Sequence, residues 1–258
     1  MNPDTTALAL AAAREAASAA ADVIKHYWHR GVEIEIKADA TPVTVADREA
    51  ERAIRQVLQA AFPQVAVYGE EFGLDGERGH LLWLVDPLDG TKSFVRRTPF
   101  FSTQIALMEG NELILGVSSA PVYGETMWAS AGNGAWLDGE RVQVSDITNV
   151  GATSLSIGNV KTLTADARWG ALGELIRDSN RIRGYGDFCH YHLLARGSLD
   201  LVIESDVNIL DVAALAVIVR EAGGVFTDLD GAPLTLDTRS VLAGTPAIHA
   251  EALQRLRH

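Results

Sequence analysis

Hydrophobic positions along the chain recur with two periods, one typical of helices and one typical of strands. Over residues 5–29 alanines and other apolar residues return at three- and four-residue spacing, which predicts a first amphipathic helix. We expect a cap among residues 4–6 and an end at Gly31. A second helix is predicted over residues 45–61, with Ala46, Ala50, Ala53, Ile54, Val57 and Leu58 on one face.

The first half of the chain also contains stretches of strand character between its turn residues. Val32 to Lys37 alternates apolar and charged residues and predicts a short strand. A turn-rich hairpin is predicted over residues 132–139, where glycine and asparagine cluster. Longer apolar runs predict strands at residues 65–68, 81–86, 102–108, 113–119 and 125–129.

Strands and helices alternate more regularly in the second half. Their predicted order is strand 153–158, helix 166–177, strand 181–184, helix 188–196, strand 199–203, helix 211–222 and strand 224–227. This alternation is typical of a layered α/β unit, whereas the first half is a mixed α+β arrangement. We therefore expect a soft boundary near Val150 that divides the chain into halves 1–150 and 151–258.

Composition narrows the possible functions. The 258 residues carry a formal net charge of −12, which argues against nucleic acid as a partner because phosphate backbones attract basic surfaces. A single cysteine, Cys189, excludes an internal disulfide and a cysteine-based zinc site, and it fits a reducing cytosol. The alanine-rich start is interrupted by Arg14 and Glu15, and apolar runs are too short to cross a bilayer. We expect a cytoplasmic protein without a membrane partner.

The segment Trp83–Phe94, with the sequence WLVDPLDGTKSF, carries the strongest chemical signal. An apolar strand delivers Asp86 and Asp89 at its carboxyl end, and the backbone N–H groups of Gly90 and Thr91 follow at a helix start. Such N–H groups bind phosphate, and two close carboxylates repel each other unless a cation lies between them. The pattern therefore predicts a magnesium-dependent site for phosphoryl transfer.

A haloacid-dehalogenase type of phosphatase would also place aspartates before Gly-Thr. Its nucleophile is an aspartate two positions before the second acid. Here the two acids are three positions apart, and Pro87 occupies the position of the nucleophile. The spacing excludes that chemistry.

Other acidic blocks accompany this segment along the chain. They are Lys37 to Asp47, Val67 to Phe72 with its Gly-Glu-Glu, Val207 to Leu215 with Asp211, and Val219 to Asp228. In this order and combination they resemble the inositol monophosphatase family of magnesium-dependent phosphatases, over most of the chain.

Each acid has a plainer interpretation when it is taken alone. Asp86 and Asp89 could serve a turn or a helix cap, and Asp211 could be an N-cap. Asp47 could be a first-turn acid, and Glu70 could be a solvated loop residue. Their joint occurrence favours the metal site.

The resemblance implies a fold, a ligand set and a mechanism. The fold would be a five-layer αβαβα sandwich, usually a homodimer, that binds two to three Mg²⁺ ions and a small phosphorylated substrate. Asp47 and the Thr91 hydroxyl would orient and deprotonate the attacking water, and Glu70 would take part in catalysis. The N–H groups of Gly90 and Thr91 would hold phosphate. The implied metal ligands are Glu70, Asp86, the Leu88 carbonyl, Asp89 and Asp211.

Substrate contacts are implied at Arg183, Gly186, Asp187 and Glu204. Asp187 favours a cationic leaving group, and the sequence RGYGDF resembles the histidinol-phosphate phosphatase branch, whose reaction belongs to histidine biosynthesis. Asp187 could instead cap the following helix. Inositol monophosphate, a sugar bisphosphate or a phosphoadenosine nucleotide remain alternative substrates, and a non-catalytic metal-binding regulator is a further alternative.

Three more positions carry expectations. His190 and His192 are two residues apart on a predicted helix, so they cannot both face the site, and at least one should be a surface or core histidine. Leu210 stands where many relatives have tryptophan. We expect it to pack beneath Asp211 without binding metal.

Overall fold

The computed structural model describes residues 1–30, 34–36 and 42–257. Its helices are α1 Pro3–Arg30, α2 Val45–Ala61, α3 Thr91–Val95, α4 Val160–Leu163, α5 Trp169–Asp178, α6 Asp187–Ala195, α7 Ile209–Glu221 and α8 Pro246–Leu256. Its strands are β1 Ile34–Ile36, β2 Pro42–Thr44, β3 Ala66–Gly69, β4 Gly73–Asp75, β5 Leu81–Asp89, β6 Ser102–Glu109, β7 Glu112–Ala120, β8 Glu125–Ser130, β9 Ala135–Leu137, β10 Glu140–Val142, β11 Ser154–Gly158, β12 Arg181–Arg183, β13 Leu201–Ser205, β14 Val225–Thr227 and β15 Ser240–Gly244.

Two large sheets organise these strands. The first has eight strands in the order β10-β9-β8-β7-β6-β5-β3-β4, and only β3 and β5 pair in parallel. The second has five strands in the order β12-β11-β13-β15-β14, with β11 parallel to both β12 and β13. β1 and β2 form a separate antiparallel pair.

Three hydrophobic clusters show how the layers stack. One cluster joins α1 and α2 to one face of the eight-stranded sheet. The next fills the space between the opposite face of that sheet, helices α6 and α7, and the five-stranded sheet. The third covers the outer face of the five-stranded sheet with α5 and α8. The layers therefore follow the order αβαβα, and the expected five-layer sandwich is confirmed.

Helix composition matches the layer in which each helix lies. α1 buries a stripe of alanines, from Ala9 to Ala20, which lets it pack closely against α2 and the sheet. α7 is apolar on all sides, and every residue from Val212 to Val219 is buried. A helix that is hydrophobic all round must be enclosed, and α7 lies between the two sheets.

Several sequence predictions differ from the observed elements. The predicted helix over residues 166–177 is wrong in its start, because the Arg168 N–H bonds Asp166 Oδ1 in a turn and α5 begins at Trp169. β4, β15 and α8 were not predicted. β15 pairs antiparallel with β13 and β14, so the second sheet is mixed.

Two predictions at the start of the chain lie partly or wholly outside the described residues. The helix end at Gly31 cannot be compared, and of the strand predicted from Val32 to Lys37 only the portion Ile34–Ile36 is described, where it pairs with Pro42–Thr44. Among the described helices, none combines the length and apolar character needed to cross a membrane.

Gly116 of β7 allows α7 to approach the sheet. A Cβ added there would lie 2.4 Å from the Ala214 carbonyl oxygen of α7.

We expect Gly116→Ala to lower the free energy of unfolding by about 1–3 kcal/mol, the cost of overpacking a core. Gly173→Ala is the control, because no atom lies within 4 Å of its added Cβ. Because Gly173 lies inside α5, its replacement by alanine should raise the free energy of unfolding by about 0.5–1 kcal/mol. Urea denaturation measures both changes, and a Gly116→Ala protein as stable as its parent would contradict this packing.

Candidate active site

The end of β5 and the start of α7 bring three carboxylates together. Oxygen atoms of Asp86, Asp89 and Asp211 all lie within 4.8 Å of one another. The register of β5 against β6 shifts between Asp86 and Asp89, which is how two acids three positions apart both reach this cluster. The Leu88 N–H donates to Asp86 Oδ1 at 2.9 Å and orients that carboxylate.

Helix geometry fixes the third acid. Asn208 is the N-cap of α7, and Asp211 is the third residue of the helix in a reciprocal capping box. The Asn208 backbone N–H donates to Asp211 Oδ2 at 2.9 Å, and the Asn208 amide donates to Oδ1 at 2.7 Å. Asp211 is therefore not the N-cap that its position alone suggested. Leu210 beside it is buried in the middle core cluster, as expected.

Burial and mutual repulsion of the three carboxylates determine their pKa values. Burial raises the pKa of Asp86 well above its usual range, and the charges of Glu70, Asp89 and Asp211 raise it further. The pKa of Asp89 is raised in the same way, by burial and then by the charge of Asp187. Burial raises the pKa of Asp211 to about 7. Carboxylates this close together resist being ionised at the same time. Carboxylate oxygens are also the ligands that hard divalent cations prefer.

Glu70 and Leu88, the other two predicted ligands, lie next to the cluster of three acids but are not part of it. Glu70 follows β3 directly, and its N–H donates to the Val85 carbonyl of β5 at 3.1 Å. Its charge acts on Asp86, and a hydrogen bond joins the two side chains. The carbonyl of Leu88 lies between the two β5 aspartates in sequence, and its oxygen is 3.1 Å from the Thr91 hydroxyl, as an alternative acceptor for that group's one hydrogen.

Asp47 and Thr91 meet across the site from different helices. The Thr91 hydroxyl donates to Asp47 Oδ1 at 3.0 Å, although the residues are 44 positions apart. Asp47 Oδ2 accepts the Thr44 N–H at 2.8 Å and the Thr44 hydroxyl at 2.6 Å, again in a capping box. Burial raises the pKa of Asp47, while these hydrogen bonds lower it. The two Asp47 oxygens therefore have separate roles, one facing Thr91 and one holding the start of α2.

Gly90 forms the turn between β5 and α3. Its φ of 87° is left-handed, and a Cβ at this position would lie 2.6 Å from the Phe100 carbonyl oxygen. Both facts require glycine here. The Thr91 side chain that reaches Asp47 thus follows a turn whose backbone is fixed.

A small cavity extends from the acid cluster toward the second sheet. Its volume is about 40 Å³. Asp187 and Glu204 line it together with the cluster residues Asp89 and Asp211. The remaining lining residues are Asn159, Tyr191, Val207, Val212 and Leu215. Two further carboxylates therefore share a cavity with the predicted metal ligands.

Asp187 does not cap α6. The N-cap is Gly186, no side-chain cap hydrogen bond forms there, and Asp187 is the first helical residue with a φ of 47°. Burial raises the pKa of Asp187 to about 6, and the charge of Glu204 adds to the shift. A carboxylate in a left-handed backbone position, facing another acid, is a strained arrangement of the kind that clusters at functional sites.

Glu204 is held from two sides. The Tyr191 hydroxyl donates to Glu204 Oε2 at 2.7 Å, and His190 Nε2 lies 3.0 Å from the same oxygen. The carboxylate occupies the space that a side chain at residue 158 would take, because a Cβ on Gly158 would lie 2.0 Å from Glu204 Oε1. Glu204 is 4% exposed, so its direction is fixed by packing.

The two histidines of α6 point to different partners and are both buried. His190 contacts Glu204 and Ser156, whereas His192 Nε2 lies 2.8 Å from Ser118 Oγ and its Nδ1 lies 3.1 Å from Glu125. The expectation that they face opposite ways is confirmed, and both are core histidines with partners.

Two predicted contact residues, Arg183 and Gly186, are not among the residues that line the cavity. Arg183 is exposed on β12, and its guanidinium donates to the Ile182 carbonyl. Sequence reasoning also missed Asn159 and Tyr191. Asn159 follows the end of β11, where parallel strands of α/β proteins often carry site residues, so the position was a usable signal. Tyr191 had no such signal, because it lies inside a helix.

An αβαβα sandwich with clustered carboxylates at the end of a buried strand is the arrangement of a metal-dependent phosphatase. The model of the inositol monophosphatase family matches residues 7–258. A histidinol-phosphatase of Mycobacterium tuberculosis is 41% identical over 231 residues, covering 86% of this chain and 87% of that protein. A histidinol-phosphatase of Streptomyces coelicolor is 40% identical over 211 residues, covering 78% and 79%.

Solved structures agree with these matches. The extragenic suppressor protein suhB from Bartonella henselae aligns with a TM-score of 0.86 and 28% identity, over 95% of this chain and 97% of that one. This chain belongs to the inositol monophosphatase family. It is a phosphoric monoester hydrolase of that metal-dependent family, as the sequence predicted.

The raised pKa of Asp89 predicts a pH-dependent stability change in chelator-treated protein. A carboxyl whose folded pKa exceeds its unfolded pKa contributes stability that is complete below the unfolded pKa and lost as pH rises through the folded pKa. We expect Asp89→Asn to raise the free energy of unfolding at pH 8 and to change it much less at pH 4, because asparagine avoids the repulsion that ionised Asp89 meets at the higher pH. Asp22→Asn, on the exposed side of α1, removes an equal charge as control. Equal effects of Asp89→Asn at both pH values would contradict the repulsion.

Proposed function

We propose that this protein is a Mg²⁺-dependent phosphatase that hydrolyses L-histidinol phosphate to L-histidinol and phosphate. The single observation that supports this substrate most is the shared cavity, in which Asp187 and Glu204 adjoin Asp89 and Asp211. A phosphate held by the cluster would direct its leaving group toward two more carboxylates. Such a pocket favours a cationic alcohol, and two relatives bear the name histidinol-phosphatase.

Two to three Mg²⁺ ions would be held by Glu70, Asp86, the Leu88 carbonyl, Asp89 and Asp211. All of these are hard oxygen donors, and four are carboxylates, which suits Mg²⁺ and several charges in one site. The raised pKa values of Asp86 and Asp211 fit the same proposal, because they reflect burial and, after it, repulsion between the acids, and bound cations would relieve the repulsion. Bound Mg²⁺ would supply charge stabilisation for the phosphoryl group and for the leaving oxygen.

The turn at Gly90 would hold the phosphate. In this proposal the backbone N–H groups of Gly90 and Thr91 donate to phosphate oxygens, at a position where the fixed left-handed turn precedes α3. The close approach of Phe100 behind Gly90 keeps that backbone rigid. Preorganised donors of this kind lower the barrier without reorganising during the reaction.

Asp47 and Thr91 would activate the attacking water. The Thr91 hydroxyl has one hydrogen, and when it donates to Asp47 its oxygen can accept from a water beside the phosphate. Asp47 then serves as the final proton acceptor. Its raised pKa lies closer to neutral pH, as a general base requires. Donation to Asp47 also leaves the Leu88 carbonyl available as a ligand.

Asp187 and Glu204 would bind the leaving group. Histidinol carries an ammonium group and an imidazole, and each can donate a charge-assisted hydrogen bond to a carboxylate. Residues 1–150 would thus supply most of the metal ligands, and residues 151–258 the specificity. Gly186, the N-cap of α6, sets the direction in which the helix begins. Arg183 is exposed, so a substrate that approaches from solvent would contact it.

Family membership keeps inositol monophosphate and related sugar or nucleotide phosphates as alternative substrates. A neutral polyol would gain little from the acid pair, so we place it second. A non-catalytic regulator is the least favoured alternative, because the Asp47–Thr91 hydrogen bond is in place. We further propose a homodimer in the cytoplasm, as the family resemblance and the single cysteine suggest.

A comparison of substrates and metals tests the proposal. With Mg²⁺ we expect phosphate release from histidinol phosphate to exceed that from myo-inositol 1-phosphate by about tenfold or more, as one charge-assisted hydrogen bond of about 1.5–3 kcal/mol would give. Chelator should abolish both rates and added Mg²⁺ should restore them. Full activity in excess chelator would overturn the mechanism, whereas a preference for the inositol ester would overturn only the substrate.

Asp187→Ala tests the acid pair directly. Loss of one charge-assisted hydrogen bond should raise KM for histidinol phosphate and reduce kcat/KM by about 10- to 100-fold. The same variant should hydrolyse glycerol 2-phosphate, an ester of a neutral alcohol, nearly as well as the parent. This second substrate controls for damage to folding or metal binding, which would depress both rates. Equal losses on both esters would remove Asp187 from the leaving-group site.

A further inference from the structure

The turn that carries Glu70 is attached to helix α2 by a buried acid. β3 and β4 form an antiparallel hairpin, and residues 70–72 make its connection. The Glu70 side chain is exposed to solvent, and it reaches the acid cluster through its hydrogen bond with Asp86. The backbone on each side of Glu70 sets the position from which this side chain reaches Asp86.

Both peptide groups that flank Glu70 are held by hydrogen bonds. The Glu70 N–H donates to the Val85 carbonyl of β5 at 3.1 Å. The next N–H, that of Glu71, donates to Glu51 Oε2 at 2.7 Å. Because a residue has only two soft backbone torsions, holding the peptide plane before and after Glu70 fixes its Cα–Cβ direction. One of the two holding groups is thus a side chain of α2.

Glu51 is itself built into the core. It is fully buried, and its Oε1 accepts from Arg55 Nε at 2.7 Å. Arg55 in turn donates to the Gly73 carbonyl at 2.6 Å, so it holds β4 while Glu51 holds the connection. Gly69 leaves room for the acid, because a Cβ there would lie 2.1 Å from Glu51 Oε1.

The same face of α2 carries the proposed base. Asp47, Glu51 and Arg55 follow at four-residue spacing, so they lie along one side of the helix. Asp47 reaches Thr91 at one end of this stripe, and Arg55 reaches the β3–β4 hairpin at the other. α2 is therefore a common support for the water-activating pair and for the turn with Glu70.

We propose that Glu51 is a positioning residue that aims Glu70 at the metal site through the Glu71 N–H. This inference rests on the proposed function, in which Glu70 is a metal ligand. Glu51 does not contact metal or substrate in this proposal. It fixes the distance between the base on α2 and the ligand after β3.

A double-mutant cycle on Mg²⁺ affinity tests the proposal. We expect Glu51→Gln to raise the Mg²⁺ dissociation constant, measured by isothermal titration calorimetry, by about 10- to 100-fold, as loss of a residue that orients a ligand does. An amide can satisfy either Arg55 or the Glu71 N–H, but not both. In a Glu70→Gln background the same substitution should weaken Mg²⁺ binding no further, since Glu51 acts through Glu70. Additive losses would overturn the proposal.

A kinetic measurement and a control variant distinguish a positioning role of Glu51 from a general effect on stability. Saturating Mg²⁺ should return the kcat of Glu51→Gln to within about threefold of the parent, because a loss of metal affinity is overcome once the site is filled. Glu251→Gln removes the partner of another arginine at the same helical spacing, in α8, and should leave Mg²⁺ affinity unchanged. Unchanged affinity in Glu51→Gln would overturn the positioning role alone. A parent protein that binds no Mg²⁺ would overturn the proposed function as well.

The buried Arg55 could prevent Glu51→Gln from folding, because its charge would lose its counter-ion. The double variant Glu51→Leu with Arg55→Met removes both charges and keeps apolar volume, so the helix can remain packed. Its circular dichroism and melting temperature establish folding. Weakened Mg²⁺ binding by this folded variant supports the proposal, and parental affinity overturns it.

Discussion

Repulsion among carboxylates that the fold forces together is the constraint on which the rest of the structure depends. Asp86, Asp89 and Asp211 have oxygens within 4.8 Å of one another, in a place where burial raises their pKa values. Such a cluster costs stability, and interactions in the surrounding elements must offset that cost. Here the holding is done by a strand with a register shift, by a capped helix, and by a core that encloses both.

The middle layer of the sandwich explains how residues far apart in sequence meet. α7 lies between the two sheets, packed against β7 through Gly116, and its start reaches the carboxyl end of β5. α6 lies in the same layer and presents Asp187 to the other end of the cavity. The acids of the first sheet and those of the second half therefore face one another across a narrow gap, which is a suitable place for a substrate with an anionic and a cationic end.

The sequence predicted the parts of this arrangement that depend on local patterns. The bounds of α2 were correct because its apolar face has a clear helical period, and a short motif was enough to predict that Asp86 and Asp89 lie close together. It did not predict β15, since an apolar run of five residues does not reveal its neighbours in a sheet. It also could not show that Asp187 leaves the capping position to Gly186, because that depends on a left-handed backbone angle.

The capping box at the start of α7 limits which metals a site that includes Asp211 can adopt during evolution. Asp47 and Asp211 each use an oxygen to accept the N–H of their own N-cap residue, so each acid is also part of a helix start. Replacing Asp211 by histidine or cysteine, the ligands that softer ions prefer, would remove an acceptor that begins α7. A change of metal preference would thus have to pass through a less stable helix. In the proposed metal site, the stability of α7 and the choice of metal ligand are therefore coupled at Asp211.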